Sequence, residues 1–138
     1  MKPKSTVLIV DDEFGVRESL RMLLKSNYEI FTAQDGEEAL KVLKERKIDL
    51  ITLDLNMPKL SGIETLREIR KIDAEVPVII ITGYRTQKDE EEALYYGVRD
   101  FISKPFNTSK IISLIDRIMK ERMENRGRHH LFGSVKGN

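Results

Sequence analysis

Five polar side chains stand where apolar runs of the sequence end, and their types suit phosphate and metal chemistry. They are Asp11, Asp12, Asp54, Thr82 and Lys104. Clustered carboxylates resist ionisation unless a cation compensates for their charge. Oxygen ligands without His or Cys select a hard cation, and few carboxylates with room for water suit Mg²⁺ better than Ca²⁺. A hydroxyl and a lysine ammonium group bind phosphate oxygens, so the set predicts a magnesium-dependent phosphoryl site.

Each member of this set has an ordinary structural explanation when it is taken alone. An Asp-Asp pair is common in turns and at helix caps, and Asp54 alone would be a loop carboxylate. Thr82 could be a satisfied hydroxyl at a strand end, and Lys104 could be a solvated surface charge. These alternatives stay open for any single residue, but five coincidences at one edge favour the functional interpretation.

The elements that must position these residues alternate between strand and helix five times. The predicted strands span residues 6–10, 29–33, 49–53, 78–82 and 100–103. The first, third and fourth lack polar alternation, as is typical of strands covered on both faces. Apolar residues at helical spacing separate the strands, and helix starts at Ser61 and Thr86 have a hydroxyl three residues before an acid. This alternation predicts an α/β doubly wound parallel sheet, whose ligands bind beyond the carboxyl ends of the strands.

The composition limits the chain to one ordinary globular domain. Its 138 residues carry 24 Lys and Arg against 23 Asp and Glu, a net charge of +1, and include no Cys. Without Cys, a disulfide, a thiolate metal site and a thiol nucleophile are excluded. No apolar run is long enough to cross a bilayer, so we expect a cytoplasmic protein without membrane contact. The apolar stripe of the fifth helix ends near Asn125, which predicts a basic linker or disordered tail over residues 124–138.

The sequence around the polar residues resembles the response-regulator receiver domains of two-component signalling. The matching motifs are Val-Asp-Asp-Glu at 10–13, Leu-Asp-Leu-Asn-Met-Pro at 53–58, Ile-Thr-Gly at 81–83 and Ser-Lys-Pro-Phe at 103–106. Together these motifs are highly specific, and the resemblance covers residues 5–123, which we expect to form the receiver domain. It implies a flavodoxin-like (βα)5 fold with a five-stranded parallel sheet in the order 2-1-3-4-5.

The resemblance implies that Asp54 is the phosphoacceptor. The phosphoryl group would come from a sensor histidine kinase, from a phosphotransfer protein or from a small acyl phosphate. Asp12 would bind Mg²⁺ directly, and Asp11 would bind it mainly through water. Asp54 itself and the backbone carbonyl of Asn56 would be further ligands. No enzymatic activity is implied beyond self-phosphorylation and self-dephosphorylation.

The resemblance also implies a switch beside the phosphate. Thr82 and Lys104 would bind the phosphate oxygens, and Phe101 would fill the space that Thr82 vacates. Without the resemblance, Phe101 is more readily explained as an ordinary core residue. The remaining residues implied at the site are Gly83 and Tyr84, which would flank the phosphate, and Pro105, whose peptide bond with Lys104 would be cis.

The output of this switch would be a changed surface formed by the fourth helix, the fifth strand and the fifth helix. By analogy, a helical linker could join the receiver to an ATPase that activates transcription, and nucleic acid would be contacted only through such an effector. The apolar stripe of the fifth helix, which includes Ile115 and Ile118, could be a homodimer face or could simply belong to the core.

Three further readings of the sequence compete with an effector-controlling receiver. The chain could be a stand-alone phosphorelay intermediate. It could also be a magnesium-dependent phosphatase with an aspartyl nucleophile, but such enzymes resemble Asp-x-Asp, and Asn56 replaces their second acid. A flavin or nucleotide binder would need a Gly-rich or Ser/Thr-rich phosphate loop after the first strand, where this chain has Asp11-Asp12-Glu13.

Overall fold

Five parallel strands form one sheet with helices between them. The computed structural model describes the backbone of residues 3–136 and the side chains of residues 3–126. The strands are β1 Thr6–Val10, β2 Glu29–Ala33, β3 Leu50–Leu53, β4 Val78–Thr82 and β5 Asp100–Ser103. The helices are α1 Phe14–Leu24, α2 Gly36–Glu45, α3 Gly62–Ile72, α4 Gln87–Tyr95 and α5 Thr108–Lys136. The strand order is β2-β1-β3-β4-β5, and every pair is parallel, so the predicted doubly wound flavodoxin-like fold is confirmed.

The third strand begins one residue later than the sequence predicts. Asp49 precedes β3, and its carboxylate Oδ2 accepts hydrogen bonds from the Thr6 backbone N–H at 2.9 Å and the Thr6 hydroxyl at 3.1 Å. A side chain that bonds to a neighbouring backbone competes with the regular ladder of a sheet. Asp49 therefore ties the start of β1 to the residues before β3, and its own N–H donates to the Thr6 carbonyl at 3.0 Å.

Two apolar clusters cover the two faces of the sheet. Successive strand side chains point to opposite faces, so Leu8 and Val10 pack in one cluster with α2 and α3, whereas Val7 and Ile9 pack in the other with α1 and α5. All residues of β3 and β4 are buried, as expected for parallel strands covered on both sides. The burial holds the carboxyl ends of these central strands in fixed relative positions.

Capping side chains start α2, α3 and α4, and the caps of α3 and α4 are the ones that the sequence predicts. The Ser61 hydroxyl accepts from the Glu64 backbone N–H while the Glu64 carboxylate accepts from the Ser61 N–H, and Thr86 with Asp89 repeats this arrangement. The Asp35 carboxylate accepts from the Glu38 N–H at 2.8 Å. These bonds satisfy amide groups that have no partner within the helix, and they fix where α2, α3 and α4 begin.

The fifth helix continues past the predicted end of its apolar stripe. It runs to Lys136, although we expected a linker or disordered tail from residue 124. No proline follows Pro105, and a glycine inside a helix costs only about 1 kcal/mol, so glycines alone do not stop it. The domain boundary at residue 123 and the role of residues 124–138 stay predictions, and residues 137 and 138 lie outside the described part of the chain.

The apolar stripe of α5 belongs to the core over most of its length. Ile111, Ile115 and Ile118 are fully buried against the cluster that contains α1, whereas Met123 is exposed. The stripe therefore covers the sheet. A homodimer through the fifth helix stays a prediction that these three residues do not support.

Gly62 brings the start of α3 against the backbone that follows β3. A Cβ atom at this position would lie 2.3 Å from the Leu55 Cα and 2.5 Å from the Asp54 carbonyl oxygen. Both neighbours are backbone atoms, and the Gly62 N–H donates to the Leu55 carbonyl at 2.9 Å. Gly15 in α1 is the opposite case, because a Cβ there would have no atom within 4 Å.

We expect Gly62→Ala to lower the free energy of unfolding by about 1–3 kcal/mol, because the added methyl group overpacks rigid backbone. Gly15→Ala is the matched control, and it should raise the free energy of unfolding by about 0.4–1 kcal/mol by reducing the freedom of the unfolded chain. Urea unfolding of both variants measures the difference. Equal stability of the two variants would contradict the close packing of α3 behind Asp54.

Candidate functional site

Asp54 lies just beyond β3 and is almost completely buried. Its N–H donates to the Val10 carbonyl at 3.0 Å, so its backbone is fixed against β1. The carboxylate oxygen Oδ1 accepts from the Thr82 hydroxyl at 2.8 Å and from the Asn56 N–H at 3.1 Å. The other oxygen, Oδ2, lies 3.0 Å from the Lys104 ammonium nitrogen. The structure therefore brings Asp54, Thr82 and Lys104 together as the sequence predicts.

Lys104 is the cation at the centre of this edge of the sheet. It follows β5, and its N–H donates to the Thr82 carbonyl at 3.0 Å. Its ammonium nitrogen lies 2.8 Å from Asp11 Oδ2, 2.8 Å from Glu13 Oε1 and 3.0 Å from Asp54 Oδ2. One positive charge thus bridges carboxylates that follow two different strands.

The charges at this edge shift the proton equilibria of Lys104 and Asp11. Burial alone would lower the pKa of Lys104, but hydrogen bonds to Asp11, Glu13 and Asp54 outweigh burial and raise it above its ordinary value. Burial raises the pKa of the Asp11 carboxyl, and the negative charge of Asp54 adds to this effect, while the hydrogen bond from Lys104 opposes it. Lys104 therefore keeps its proton at neutral pH.

The donor set of this site fits a hard divalent cation. Carboxylate oxygens of Asp11, Asp12, Glu13 and Asp54 all lie within 4.8 Å of one another. Four carboxylates face one ammonium group, and all the candidate ligands are oxygen atoms, which Mg²⁺ prefers. Asp11 and Asp54 are buried while Asp12 and Glu13 are exposed, so an ion could keep water on the open side. This acidic pocket could bind Mg²⁺.

Glu13 belongs to this cluster, although the sequence reasoning did not select it. It precedes α1 at the N-cap position, where an acid is usually explained by the partial positive charge of a helix start. Its carboxylate instead reaches Lys104. The unbroken run of three acids at 11–13 could have identified it. These acids follow β1 directly, so the third lies close to the first.

Asn56 connects Thr82 to the loop between β4 and α4. Its side-chain amide donates to the Thr82 hydroxyl oxygen at 2.9 Å and to the Tyr84 carbonyl at 2.7 Å. The Thr82 hydroxyl also lies 3.2 Å from that carbonyl. The hydroxyl has a single proton, so it can donate to Asp54 or to Tyr84, but not to both. The metal-binding role of the Asn56 carbonyl stays a prediction.

The other predicted site residues surround this cluster. Gly83 is exposed, and a Cβ there would meet only the Lys104 Cβ, at 3.9 Å, which leaves open space beside Thr82. The Tyr84 side chain is exposed, and the Lys104–Pro105 peptide bond is cis. Phe101 is half-buried on β5, packs against the cluster that contains α2 and α3, and lies under the Arg85 guanidinium group.

Comparison with known proteins finds one matching family and similar proteins from several bacteria. A family model described as the response regulator receiver domain matches residues 7–116. The protein CcdB of Bacillus subtilis is 40% identical over 115 residues, which are 82% of this chain and 96% of CcdB. The chemotaxis protein CheY of Thermotoga maritima is 37% identical over 116 residues, which are 83% of this chain and 97% of CheY.

A solved structure of a longer protein is also similar. NtrX from Brucella abortus, solved in complex with ADP, is 30% identical with a TM-score of 0.83. The match covers 93% of this chain but only 30% of the NtrX chain. The same fold therefore occurs both in relatives of about this length and in a part of a longer protein. Among the helices described here, none combines the length and the apolar character needed to cross a membrane.

We expect Mg²⁺ to stabilise the folded protein through the carboxylate cluster. At ten times its dissociation constant, a ligand that binds only the folded state adds about 1.4 kcal/mol, so Tm should rise by several degrees. Asp11→Asn should abolish the rise and Glu13→Gln should reduce it, since both remove negative charge from the site. Thermal unfolding with and without Mg²⁺ measures the effect.

Glu37→Gln is the control for loss of one exposed acid elsewhere, because Glu37 lies in α2 and has no place in the cluster. It should keep the full rise in Tm. A rise that is the same in wild type and Asp11→Asn would place the ion at another site.

Proposed function

Because the chain belongs to the response regulator receiver domains, we propose that Asp54 accepts a phosphoryl group from a histidine kinase or a phosphotransfer protein. The observation that carries this proposal is the environment of the Asp54 carboxylate. It is buried among like charges, yet both of its oxygens contact donors that also suit phosphate, namely Thr82 and Lys104. Receiver domains are signalling modules, and we propose no activity beyond self-phosphorylation and self-dephosphorylation.

The transfer forms one bond and breaks one bond. An oxygen of the Asp54 carboxylate forms a bond to phosphorus while the phosphorus–nitrogen bond of the donor phosphohistidine breaks, and the electron pair of that bond returns to the imidazole. With a small acyl phosphate, a phosphorus–oxygen bond breaks instead, and a carboxylate leaves. Bound Mg²⁺ would be held by Asp11, Asp12, Asp54 and the Asn56 backbone carbonyl, with Glu13 in the same carboxylate cluster, and it would supply positive charge beside the transferred group.

Lys104 and Thr82 would bind the new phosphate. The Lys104 ammonium group contacts the carboxylate that would carry the phosphate, and it is charged because its hydrogen bonds to Asp11, Glu13 and Asp54 raise its pKa. The Thr82 hydroxyl donates to Asp54 in this structure, and rotation of its side chain would redirect that proton to a phosphate oxygen. The open space beside Gly83 would let water attack phosphorus and return Asp54 to its free form.

The surface that would respond is formed by α4, β5 and α5. Only Ala93 of α4 is buried, whereas Leu94 and Tyr95 are exposed. A helix with so little buried surface can move at low cost, and its exposed apolar side chains suit an effector. We propose that phosphorylation changes this face, and that the protein works in the cytoplasm with its kinase.

Two kinds of output agree with the proteins that this chain resembles. The match to 97% of CheY agrees with a stand-alone regulator or relay protein, whose target is a separate molecule. The match to 30% of the NtrX chain, a structure with ADP, favours a receiver that controls a larger nucleotide-binding effector, such as a transcription-activating ATPase. Nucleic acid would then be contacted through the effector only. Asn56, in place of a second acid, disfavours a phosphatase.

We expect the wild-type chain to gain one phosphoryl group when it is incubated with Mg²⁺ and acetyl phosphate, and Asp54→Asn to gain none. The amide is nearly isosteric with the carboxylate but is no nucleophile. Asp49→Asn is the matched control, because Asp49 lies before β3 at the opposite end of the same strand, and it should be phosphorylated like wild type. Intact mass spectrometry measures the product.

Phosphorylation of Asp54→Asn to the wild-type extent would disprove the assignment of Asp54. If the wild type gains no mass, beryllofluoride binding in the presence of Mg²⁺ separates rapid hydrolysis from inactivity. A wild-type chain that neither gains mass nor binds beryllofluoride would contradict the proposed function.

A further inference from the structure

Arg85 covers the ring of Phe101 in the structure. The guanidinium carbon lies 4.9 Å from the centre of the ring, and Glu90 Oε2 lies 3.5 Å from the Arg85 Nε. A guanidinium group above an aromatic face is attracted by the negative charge of that face. Phe101 has no hydroxyl, so its ring cannot be held by a hydrogen bond of its own. The Arg85 contact is therefore a polar restraint on this ring.

The loop that carries Arg85 is connected to Asp54 through hydrogen bonds. Tyr84 precedes Arg85, and its carbonyl accepts from the Asn56 side-chain amide at 2.7 Å and lies 3.2 Å from the Thr82 hydroxyl. That hydroxyl in turn lies 2.8 Å from Asp54 Oδ1. A new group on Asp54 would compete for Thr82 and so disturb the Asn56 amide, which donates both to the Thr82 hydroxyl oxygen and to the Tyr84 carbonyl.

We propose that Arg85 is a positioning residue that holds Phe101 in its present place until Asp54 is phosphorylated. The inference rests on the proposed function. Movement of Thr82 toward a phosphate breaks the hydrogen bond that its hydroxyl oxygen accepts from the Asn56 amide. The same amide holds the Tyr84 carbonyl, so the loop shifts and Arg85 withdraws from the ring. Glu90, at the start of α4, steadies Arg85 in the resting state. Asp54 and Phe101 are thus coupled through the backbone of the loop and through the Arg85 guanidinium group.

Thermodynamic linkage makes this proposal measurable. If Arg85 stabilises the resting position of Phe101, its loss lowers the free-energy cost of the phosphorylated conformation, so a phosphoryl mimic binds more tightly. An exposed cation–π contact corresponds to roughly a two- to fivefold change in an equilibrium constant. A contact that only stabilised the folded chain would leave the affinity for the mimic unchanged.

The experiment is a calorimetric titration with beryllofluoride at saturating Mg²⁺. Arg85→Met, which removes the charge but keeps a long side chain, should bind roughly two- to fivefold more tightly than wild type. Arg85→Lys keeps the charge and should lie between the two. Glu90→Gln releases Arg85 without altering the loop, and it should shift the affinity in the same direction as Arg85→Met.

Arg46→Met is the matched control. Arg46 covers the ring of Phe31 at 5.1 Å, so this variant removes the same kind of contact from another part of the chain, and its affinity should equal that of wild type. Carbon-13 labelling of the phenylalanine rings shows which ring each variant affects in the metal-free protein. Loss of Arg85 should shift the Phe101 signal, and loss of Arg46 should shift the Phe31 signal.

The outcomes separate this inference from the proposed function. Wild-type binding together with unchanged affinity in both Arg85→Met and Glu90→Gln would overturn the role of Arg85 and leave the phosphorylation of Asp54 intact. An equal gain in Arg46→Met would also overturn it, because the effect would then be general. A wild-type chain that binds no beryllofluoride would overturn the proposed function, and the inference would fall with it.

Discussion

The site depends on one ammonium group that holds several carboxylates together. Asp11 and Asp54 are only 2% and 3% exposed, and burial of a carboxylate is costly unless a partner compensates for it. Lys104 contacts both of them and Glu13 as well. The compensation is incomplete, since four carboxylates lie close together. This excess of negative charge suits a divalent cation, and such a cation would in turn offset the charge of the proposed phosphoryl group.

The fold holds this arrangement rigidly on the side of the central strands and loosely on the side of α4. The buried strands β3 and β4 fix Asp54 and Thr82, and the close approach of Gly62 fixes the backbone behind Asp54. In contrast, α4 buries a single side chain and is held largely by its cap and by ion pairs such as Arg67–Glu92, at 2.5 Å. Elements with few buried apolar contacts open and shift most easily. A change at the rigid site can therefore shift the position of α4.

Much of this structure could be predicted from the sequence, because strand periodicity and helix caps act locally. The strands, the capped helices and the meeting of Asp54, Thr82 and Lys104 followed from these patterns. Glu13 was missed because an acid at a helix start has a common local explanation. The start of β3 was placed one residue early, and the bonds between Asp49 and Thr6 at this end of the strand join residues that are distant in sequence. The contact of Arg85 with Phe101 depends on the path of a loop, which no periodicity specifies.

The most direct test of the central claim is to determine which residue carries the phosphoryl group. The wild-type chain is incubated with Mg²⁺ and acetyl phosphate, treated with borohydride, digested and sequenced by mass spectrometry. One hydride from borohydride displaces phosphate from the carbonyl carbon and gives an aldehyde, and a second hydride reduces that aldehyde to an alcohol, which converts aspartyl phosphate to homoserine. We predict homoserine at position 54 alone. Homoserine at Asp11 or Asp12, or its absence from a chain that has gained a phosphoryl group, would contradict the account.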